Sequence, residues 1–353
     1  MIAGLMTASL ETAPADEDRL VRELVNSFAA ARRDTRHLSG PYAPGAQWKV
    51  IVEQDWARVH TAIAGDDFAT LADFFRNFFR NEGLCGFWGG ADLFERFAEA
   101  KGMKSIARAR VMQLQHQAWR EALPGADIDE LSAPPIGNPW GYVVEGRLLY
   151  EPVHEYHYQA KYFADLLAPV AKPVIMEIGG GFGGLAYHIV KRASEATYVG
   201  FDLPETATLQ AYYLRAAYPH KKVLTFSEGL KLTRELIAEY DIVILPNFMI
   251  AEMPDMSADL VVNVRSLSEM PEETISEYLS QIDRIGRLFF FHENIYKARS
   301  DGWFGVTTDR FPTLPGFFKL IEADTRWPRY NGVSPYPCHE HLLVRRSALN
   351  FSG

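Results

Sequence analysis

Cysteine and clustered positive charge are both scarce in this sequence. Only Cys85 and Cys338 occur among the 353 residues. They are far apart and lack CxxC spacing, which excludes a disulfide framework and a thiolate zinc site. No run of Lys or Arg exceeds two residues, and the net charge is −9. Because such a chain does not attract phosphate backbones, we expect no nucleic-acid partner.

Long hydrophobic runs are also missing. No stretch of about 18 consecutive apolar residues occurs, so we expect no membrane-spanning helix. The first residues, Met1 to Pro14, lack the basic start and the apolar centre of a secretion signal. Together with the scarcity of cysteine, these absences predict a cytoplasmic protein.

The N-terminal third of the chain has the pattern of amphipathic helices. Hydrophobic residues make up 48% of the sequence and charged residues 23%, as in folded globular proteins. Three apolar stripes with helical spacing begin at Leu20, Trp48 and Leu71. Their aromatic side chains are more typical of helix packing than of a ligand site. We predict a helical N-terminal domain over residues 1–123 that forms a lid, walls a substrate site or mediates oligomerisation.

The rest of the chain has the pattern of an α/β domain. Residues 124–152 are rich in Pro and Gly and predict a connecting loop, and a second domain follows over 153–353. In that domain short apolar runs alternate with helical stretches, which is typical of a parallel sheet flanked by helices. Strands are predicted at 174–178, 198–201, 242–245, 260–264, 287–292, 317–323 and 341–345, with 223–226 a further strand or a loop.

The last two predicted strands distinguish between two kinds of α/β sheet. A closing antiparallel pair after five parallel strands is typical of the class I methyltransferase sheet. A dinucleotide-binding sheet normally continues in parallel units. The predicted fold class is therefore α/β, a Rossmann-like class I methyltransferase sheet with a helical N-terminal domain.

A glycine-rich turn follows the first predicted strand of this sheet. Gly179, Gly181 and Gly183 fit both the GxGxG pattern of methyltransferases and the GxGxxG pattern of dinucleotide-binding folds. In either fold, glycines let the chain turn sharply from strand to helix and let a ligand approach the main-chain N–H groups. These three residues are predicted to bind a cofactor, and the turn alone leaves its identity open.

Two carboxylates near the turn narrow the choice of cofactor. Glu177 lies two residues before the first glycine, where its charge would repel a pyrophosphate but would suit the cationic methionine part of a sulfonium. Asp202 ends the next strand, where a carboxylate accepts hydrogen bonds from both hydroxyls of a ribose. Asp202 suits either nucleoside cofactor, and Glu177 favours S-adenosyl-L-methionine.

Three segments together resemble a known family. They are MEIGGGFGGLA at 176–186, DLPE at 202–205, and DLVVNV at 259–264 followed by SEM at 268–270. Over about 137–346 the chain resembles a family of sugar O-methyltransferases of the class I superfamily. The resemblance implies transfer of a methyl group from S-adenosyl-L-methionine to a hydroxyl of a sugar or glycosylated small molecule. Asn263, in the third segment, is assigned to the cofactor site. So are Asn247 and Phe248, where this fold usually contacts adenine, although Phe248 is equally compatible with the core.

Methylation of a hydroxyl by in-line displacement calls for a general base. His292 ends a predicted strand and is the preferred base, with Glu293 orienting its ring. Glu269 is the second candidate, and its alternative role is a carboxylate at a helix N-terminus.

Residues near these candidates are predicted to contact the acceptor. Arg265 is a candidate clamp for an acidic group, with an ion pair as the alternative. His154 and Tyr158 share a helix face and form a candidate wall. Neither His154 with His157, nor Cys338 with His339 and His341, has an assured further ligand, so no metal site is predicted. The alternative functions are a nicotinamide-dependent oxidoreductase and a non-catalytic binding protein with a methyltransferase fold.

Overall fold

The N-terminal part of the protein consists of helices and short connections. The computed structural model describes residues 16–84, 93–99, 103–150, 152–297, 305–325, 327 and 338–348, so Cys85 and residues 1–15 lie outside it. A π-helical turn, Ile51–Asp55, divides the second apolar stripe between two helices. The α-helices of this part are α1 (Glu17–Arg33), α2 (Ala46–Val50), α3 (Ala57–Ala64), α4 (Phe68–Arg76), α5 (Leu93–Ala98) and α6 (Met103–Ala122).

A short hairpin leads from these helices into the central sheet. The hairpin strands are β1 (Tyr142–Val144) and β2 (Arg147–Leu149). The sheet strands are β3 (Val174–Ile178), β4 (Thr197–Asp202), β5 (Val223–Thr225), β6 (Ile242–Pro246), β7 (Ala258–Val264), β8 (Gly286–Ile295), β9 (Phe317–Asp324) and β10 (Cys338–Arg345). The accompanying helices are α7 (Val153–Leu166), α8 (Gly184–Arg192), α9 (Pro204–Ala217), α10 (Arg234–Ala238) and α11 (Glu272–Ile285).

The order of the sheet is β5-β6-β4-β3-β7-β8-β10-β9. The first six strands of this order, from β5 to β8, run parallel to one another. Strand β10 is antiparallel to both β8 and β9. A reversed strand next to the edge of an otherwise parallel sheet confirms the predicted class I methyltransferase fold. The segment that the sequence left open between strand and loop is the edge strand β5.

Helices cover both faces of the sheet. Helices α7, α8 and α9 pack on one face together with α1 and α4, and α11 packs on the other. Successive strand residues alternate between these faces, so Ile175 joins the first apolar layer and Met176 the second. The same alternation places the side chain of Glu293 on the first face and that of His292 on the second.

The N-terminal helices share a continuous core with the sheet. Helix α1 lies along α9, where the hydroxyl of Tyr212 donates a hydrogen bond of 3.0 Å to Glu17. Arg32 pairs with Glu205 at 3.1 Å, and the rings of Phe75 and Tyr212 stack with centroids 4.9 Å apart. These contacts join segments that are 137 to 195 residues apart in the sequence.

Local signals in the sequence begin several helices. Asp67 caps α4 by accepting a hydrogen bond of 3.1 Å from the backbone N–H of Thr70. Gly183 precedes α8 in the left-handed conformation, and Pro204 occupies the first turn of α9. None of the helices in the described part of the chain combines the length and the apolar character needed to cross a membrane.

Candidate active site

The glycine-rich turn lies at the edge of the sheet where β3, β4 and β7 end. Its residues Gly179, Gly181 and Gly183 have φ angles of +73°, +60° and +96°. L-residues with side chains rarely adopt this left-handed region, whereas glycine does so without steric penalty. The backbone of the turn therefore requires the three glycines that the GxGxG pattern singled out.

Polar side chains hold the start of this turn. The carbonyl oxygen of Ile178 accepts hydrogen bonds from the Asn263 amide at 2.9 Å and the Ser266 hydroxyl at 3.1 Å. Asn263 is fully buried and also accepts a hydrogen bond of 2.8 Å from the amide of Asn294. A Cβ atom at Gly179 would overlap Ser266. These contacts make Asn263 a support of the turn, and its predicted contact with the cofactor stays a prediction.

Glu177 lies under the turn and is almost completely buried. It accepts a hydrogen bond from the Tyr198 hydroxyl, which in turn accepts one of 3.2 Å from the amide of Gln210. A Cβ atom at Gly180 would overlap the same Gln210 amide. Burial raises the pKa of Glu177 from 4.5 to about 7, Asp202 adds to the rise, and the hydrogen bond from Tyr198 opposes it.

Asp202 reaches from the end of β4 to the glycine turn. Its two oxygens accept hydrogen bonds from the backbone N–H groups of Gly181 at 2.9 Å and Leu203 at 2.8 Å. Burial raises its pKa to about 7 despite these bonds, and the charge of Glu269 adds to the rise. Each carboxylate oxygen has a second lone pair, so Asp202 retains the capacity to accept ribose hydroxyls as the sequence predicts.

Glu269 follows β7 and contacts the N-terminal helical region. The indole N–H of Trp48 donates a hydrogen bond of 3.1 Å to one oxygen of this partly exposed carboxyl. Burial raises the pKa of Glu269 to about 7, although Trp48 and the positive charge of Arg265 oppose the rise. Glu269 lies at the C-terminal end of a 3₁₀ turn, Leu267–Glu269, so the predicted role as a carboxylate at a helix N-terminus is not what positions it.

These three carboxyl groups make the site strongly acidic. The raised pKa of each group means that its ionised form lacks enough positive charge or hydrogen bonding nearby. The charge of Asp202 helps to raise the pKa of Glu177, and the charge of Glu269 helps to raise the pKa of Asp202. A ligand that carries positive charge relieves this deficit, whereas a pyrophosphate increases it.

The sequence predicts that His292 is the general base and that Glu293 orients its ring. In the structure the two side chains lie on opposite faces of the sheet. The buried ring of His292 stacks on that of His341 on the second face of the sheet, with centroids 4.4 Å apart, and it packs against Phe290 and Phe311. The prediction that Glu293 orients His292 is wrong, because neighbouring strand residues point to opposite faces. Burial lowers the pKa of His292 well below its ordinary value.

Glu293 belongs instead to a buried ion pair. Arg265, in the left-handed conformation with φ +68°, pairs with Glu293 and, at 2.5 Å, with Glu155 of α7. Gln159 donates hydrogen bonds to both carboxylates, at 3.2 and 3.4 Å. The guanidinium of Arg265 is thus held by protein carboxylates, which favours the ion-pair alternative over a clamp for the acceptor.

The predicted adenine contacts lie in a well-packed region. Asn247 donates a hydrogen bond of 2.8 Å to the carbonyl of Tyr42 and accepts one of 3.0 Å from the N–H of Phe248. The Phe248 ring is fully buried, in contact with Phe226 and the guanidinium of Arg36. The structure therefore favours the core alternative for Phe248.

The two acceptor-wall candidates on α7 have different surroundings. His154 is fully buried between α6 and α7, and its Nε2 lies 3.0 Å from Nδ1 of His116. Burial lowers its pKa to about 3. Tyr158 is partly exposed and its ring packs edge-on against Trp327 at 5.4 Å. Of the pair, only Tyr158 keeps a surface that an acceptor can touch.

Three residues at the site were missed in the sequence. Trp48 belongs to a predicted apolar packing stripe, although its indole N–H is a donor that needs an acceptor. Glu155 and Gln210 lie on buried helix faces, where a polar residue among apolar ones is the available signal. The ion-pair partner of Glu155 is Arg265, 110 residues later, and the hydrogen-bond partner of Gln210 is Tyr198 on another element. A buried polar residue therefore does not reveal its partner in the sequence.

Comparisons with known proteins give structural similarity alone. No protein-family model matches the chain, and no curated protein does either. Similar solved structures include a magnesium protoporphyrin IX methyltransferase from Synechocystis PCC 6803, with 13% identity over 70% of this chain and 99% of that one and a TM-score of 0.37. A geranyl diphosphate methyltransferase has 13% identity over 56% and 81%, with a TM-score of 0.39. A protein described as a type 11 methyltransferase from Sulfolobus solfataricus has 16% identity over 53% of this chain and 91% of that one, with a TM-score of 0.31.

Proposed function

We propose that this protein is an S-adenosylmethionine-dependent O-methyltransferase. The observation that carries the proposal is the group of three carboxyls, Glu177, Asp202 and Glu269, around a turn built from left-handed glycines. S-adenosylmethionine bears a sulfonium and an ammonium group against one carboxylate, so its net charge is positive. A nicotinamide dinucleotide would bring a negative pyrophosphate to the same carboxyls.

Each part of the site has a role in this proposal. The glycine turn lets the donor approach its backbone without obstruction by Cβ atoms, and Asp202 accepts the ribose hydroxyls. Glu177, held by Tyr198, supplies negative charge beneath the donor. S-adenosylmethionine supplies the methyl group, which passes to the acceptor oxygen as its bond to sulfur breaks and leaves S-adenosylhomocysteine.

Glu269 is the proposed general base. A base works best when its pKa is near the working pH, and burial raises the pKa of the Glu269 carboxyl to about 7. It removes the hydroxyl proton of the acceptor as the new C–O bond forms. Glu269 replaces His292 in this role because the His292 ring is enclosed on the second face of the sheet.

The helical N-terminal region is proposed to wall the acceptor side of the site. Trp48 hydrogen-bonds Glu269, and the carbonyl of Tyr42 accepts from Asn247 at the end of β6. An aromatic ring beside the base suits the apolar C–H face of a sugar ring. With the sequence resemblance, this contact supports a sugar or glycosylated small molecule as the acceptor.

A binding experiment distinguishes the proposal from the oxidoreductase alternative. Calorimetric titration with S-adenosylmethionine, S-adenosylhomocysteine, NAD+ and NADH is expected to give saturable binding of the first two alone. Transfer of labelled methyl groups to a panel of sugars and glycosides then tests the acceptor class. Binding of NADH without binding of either adenosyl ligand would refute the proposal, and donor binding without any methylated acceptor favours the non-catalytic alternative.

The pKa of Glu177 predicts how pH affects the ligand-free protein. The folded state holds a proton on this carboxyl up to about pH 7, whereas the unfolded chain releases it near 4.5. Stability is therefore expected to fall as pH rises from about 4.5 to 7, by roughly 3 kcal/mol from this group. Glu177→Gln removes the effect, so it is expected to be more stable than wild type at pH 8 and similar at pH 4.5 in urea unfolding.

The raised pKa values of Glu177, Asp202 and Glu269 also predict how pH changes ligand affinity. As these carboxyls ionise between pH 6 and 8, the ratio of S-adenosylmethionine to S-adenosylhomocysteine affinity is expected to rise, because the two ligands differ by one positive charge. Glu177→Gln weakens this rise, and the exposed control Glu273→Gln leaves it unchanged. A ratio independent of pH in the wild type would show that the carboxyls do not face the sulfonium.

A further inference from the structure

A second group of ionisable side chains lies at the far edge of the sheet. Strand β10 carries His339 and His341 on one face, and its partner β9 carries Glu322 directly opposite His341. One potential ligand atom from each of the three lies within 4.8 Å of the other two. In the described part of the chain, no other group of His, Cys, Asp and Glu residues meets this criterion.

Each ring nitrogen of His339 has a carboxylate oxygen beside it. Its Nδ1 lies 3.2 Å from Oε1 of Glu322, and its Nε2 lies 2.9 Å from Oδ1 of Asp324. A neutral imidazole has one N–H, which serves only one of these oxygens. With the proton on Nε2 toward Asp324, Nδ1 and the Glu322 oxygen face each other as two donors of electron pairs. Their separation is close to the roughly 3.3 Å between neighbouring ligands of a tetrahedral zinc ion with bonds of about 2.0–2.1 Å.

His341 supplies a second, independent observation. It is only 5% exposed, and its Nε2 has no hydrogen-bond partner among the described residues. A buried polar atom without a partner is unfavourable unless a water or an ion satisfies it. The ring of His292 stacks against His341 with an interplanar angle of 9° and fixes its orientation.

We propose that Glu322, His339 and His341 bind a divalent transition-metal ion, with Asp324 orienting His339 through its Nε2–H. Two imidazoles and a carboxylate suit Zn²⁺ and its neighbours, whereas Ca²⁺ and Mg²⁺ prefer oxygen ligands alone. A carboxylate on the second nitrogen of a ligating histidine is a recurrent feature of zinc sites.

The neighbouring charges and the exposure agree with this assignment. Lys319 donates a hydrogen bond of 2.5 Å to Oε2 of Glu322, which leaves Oε1 directed at His339. The side chains of Glu322 and His339 are 42% and 19% exposed, so an ion reaches them from solvent. This proposal is independent of the methyl donor and of Glu269.

The test is a calorimetric titration of the full chain with Zn²⁺ after chelator treatment. Wild type is expected to bind one equivalent, Glu322→Gln and His339→Ala to bind at least tenfold more weakly, and Asp324→Asn about 10–100-fold more weakly. Glu322 and Asp324 are exposed, so their variants are expected to fold even if a change at the buried His341 is disruptive. His220→Ala and Glu239→Gln, surface residues near the opposite edge of the sheet, are matched controls.

Two results would overturn the proposal. One is wild-type protein that binds no Zn²⁺. The other is equal Zn²⁺ affinity in wild type and in the Glu322 and His339 variants, because the ion would then bind elsewhere. A titration with Co²⁺ supplies an independent readout, because its visible absorption changes with coordination by these side chains in wild type and is expected to be lost in His339→Ala.

Discussion

Glu269→Gln is expected to lower the rate of methyl transfer by about 10²–10⁴-fold while S-adenosylhomocysteine still binds. Glutamine keeps the size of the side chain and the acceptor for the Trp48 indole but does not take a proton. The rate is measured with whichever sugar acceptor gives turnover, and binding is measured by calorimetry. Glu273→Gln, an exposed carboxyl in the first turn of α11, is the matched control and is expected to have the wild-type rate.

The Trp48 contact provides a finer test of the same base. Trp48→Phe removes the donor that stabilises ionised Glu269, so the pKa of this carboxyl is expected to rise. The acid limb of the pH–rate profile should then move to higher pH, while the rate at high pH is largely retained. Full activity of Glu269→Gln combined with loss of activity in His292→Gln would instead restore His292 as the base.

Gly179→Ala is expected to destabilise the protein by about 2–4 kcal/mol and to weaken S-adenosylhomocysteine binding at least tenfold. The residue has φ +73°, and an added Cβ atom would overlap Ser266. The free energy of unfolding is measured in urea and the affinity by calorimetry.

Gly229→Ala separates the strain of a left-handed backbone from the overlap of the added Cβ atom with a neighbour. Gly229 has nearly the same φ, +76°, but no atom lies within 4 Å of the position of its added Cβ. We expect this variant to lose only about 1 kcal/mol of stability and to retain wild-type affinity. Equal losses of affinity in the two variants would show that the glycine turn is not the donor site.

The fold was predictable because the relevant signals are local. Apolar runs, Pro and Gly punctuation and the closing strand pair identified the sheet, and the strand predicted at 174–178 has the observed bounds of β3. The glycine turn and Asp202 were predictable for the same reason, since they are adjacent to strand ends and their spacing in the sequence survives in the structure.

The surroundings of the candidate catalytic residues were less predictable because they depend on long-range pairing. The predicted pairing of His292 with Glu293 conflicts with the alternation of side chains along a strand, which the sequence position alone specifies. The partner of Glu293 is Arg265, held also by Glu155 from a helix 110 residues earlier. Glu322 joins the two histidines of β10 through the register between β9 and β10, which no local pattern specifies.

The packing of α1 on α9 has a consequence for the synthesis of the chain. Glu17 leaves the ribosome 195 residues before its partner Tyr212, a delay of roughly 10–40 s at typical elongation rates. During that interval the part of the apolar stripe of α1 that packs on α9 has no native surface to cover it. The nascent chain is therefore expected to depend on a holding chaperone, and fragments that stop before α9 should be captured by one more readily than the finished protein.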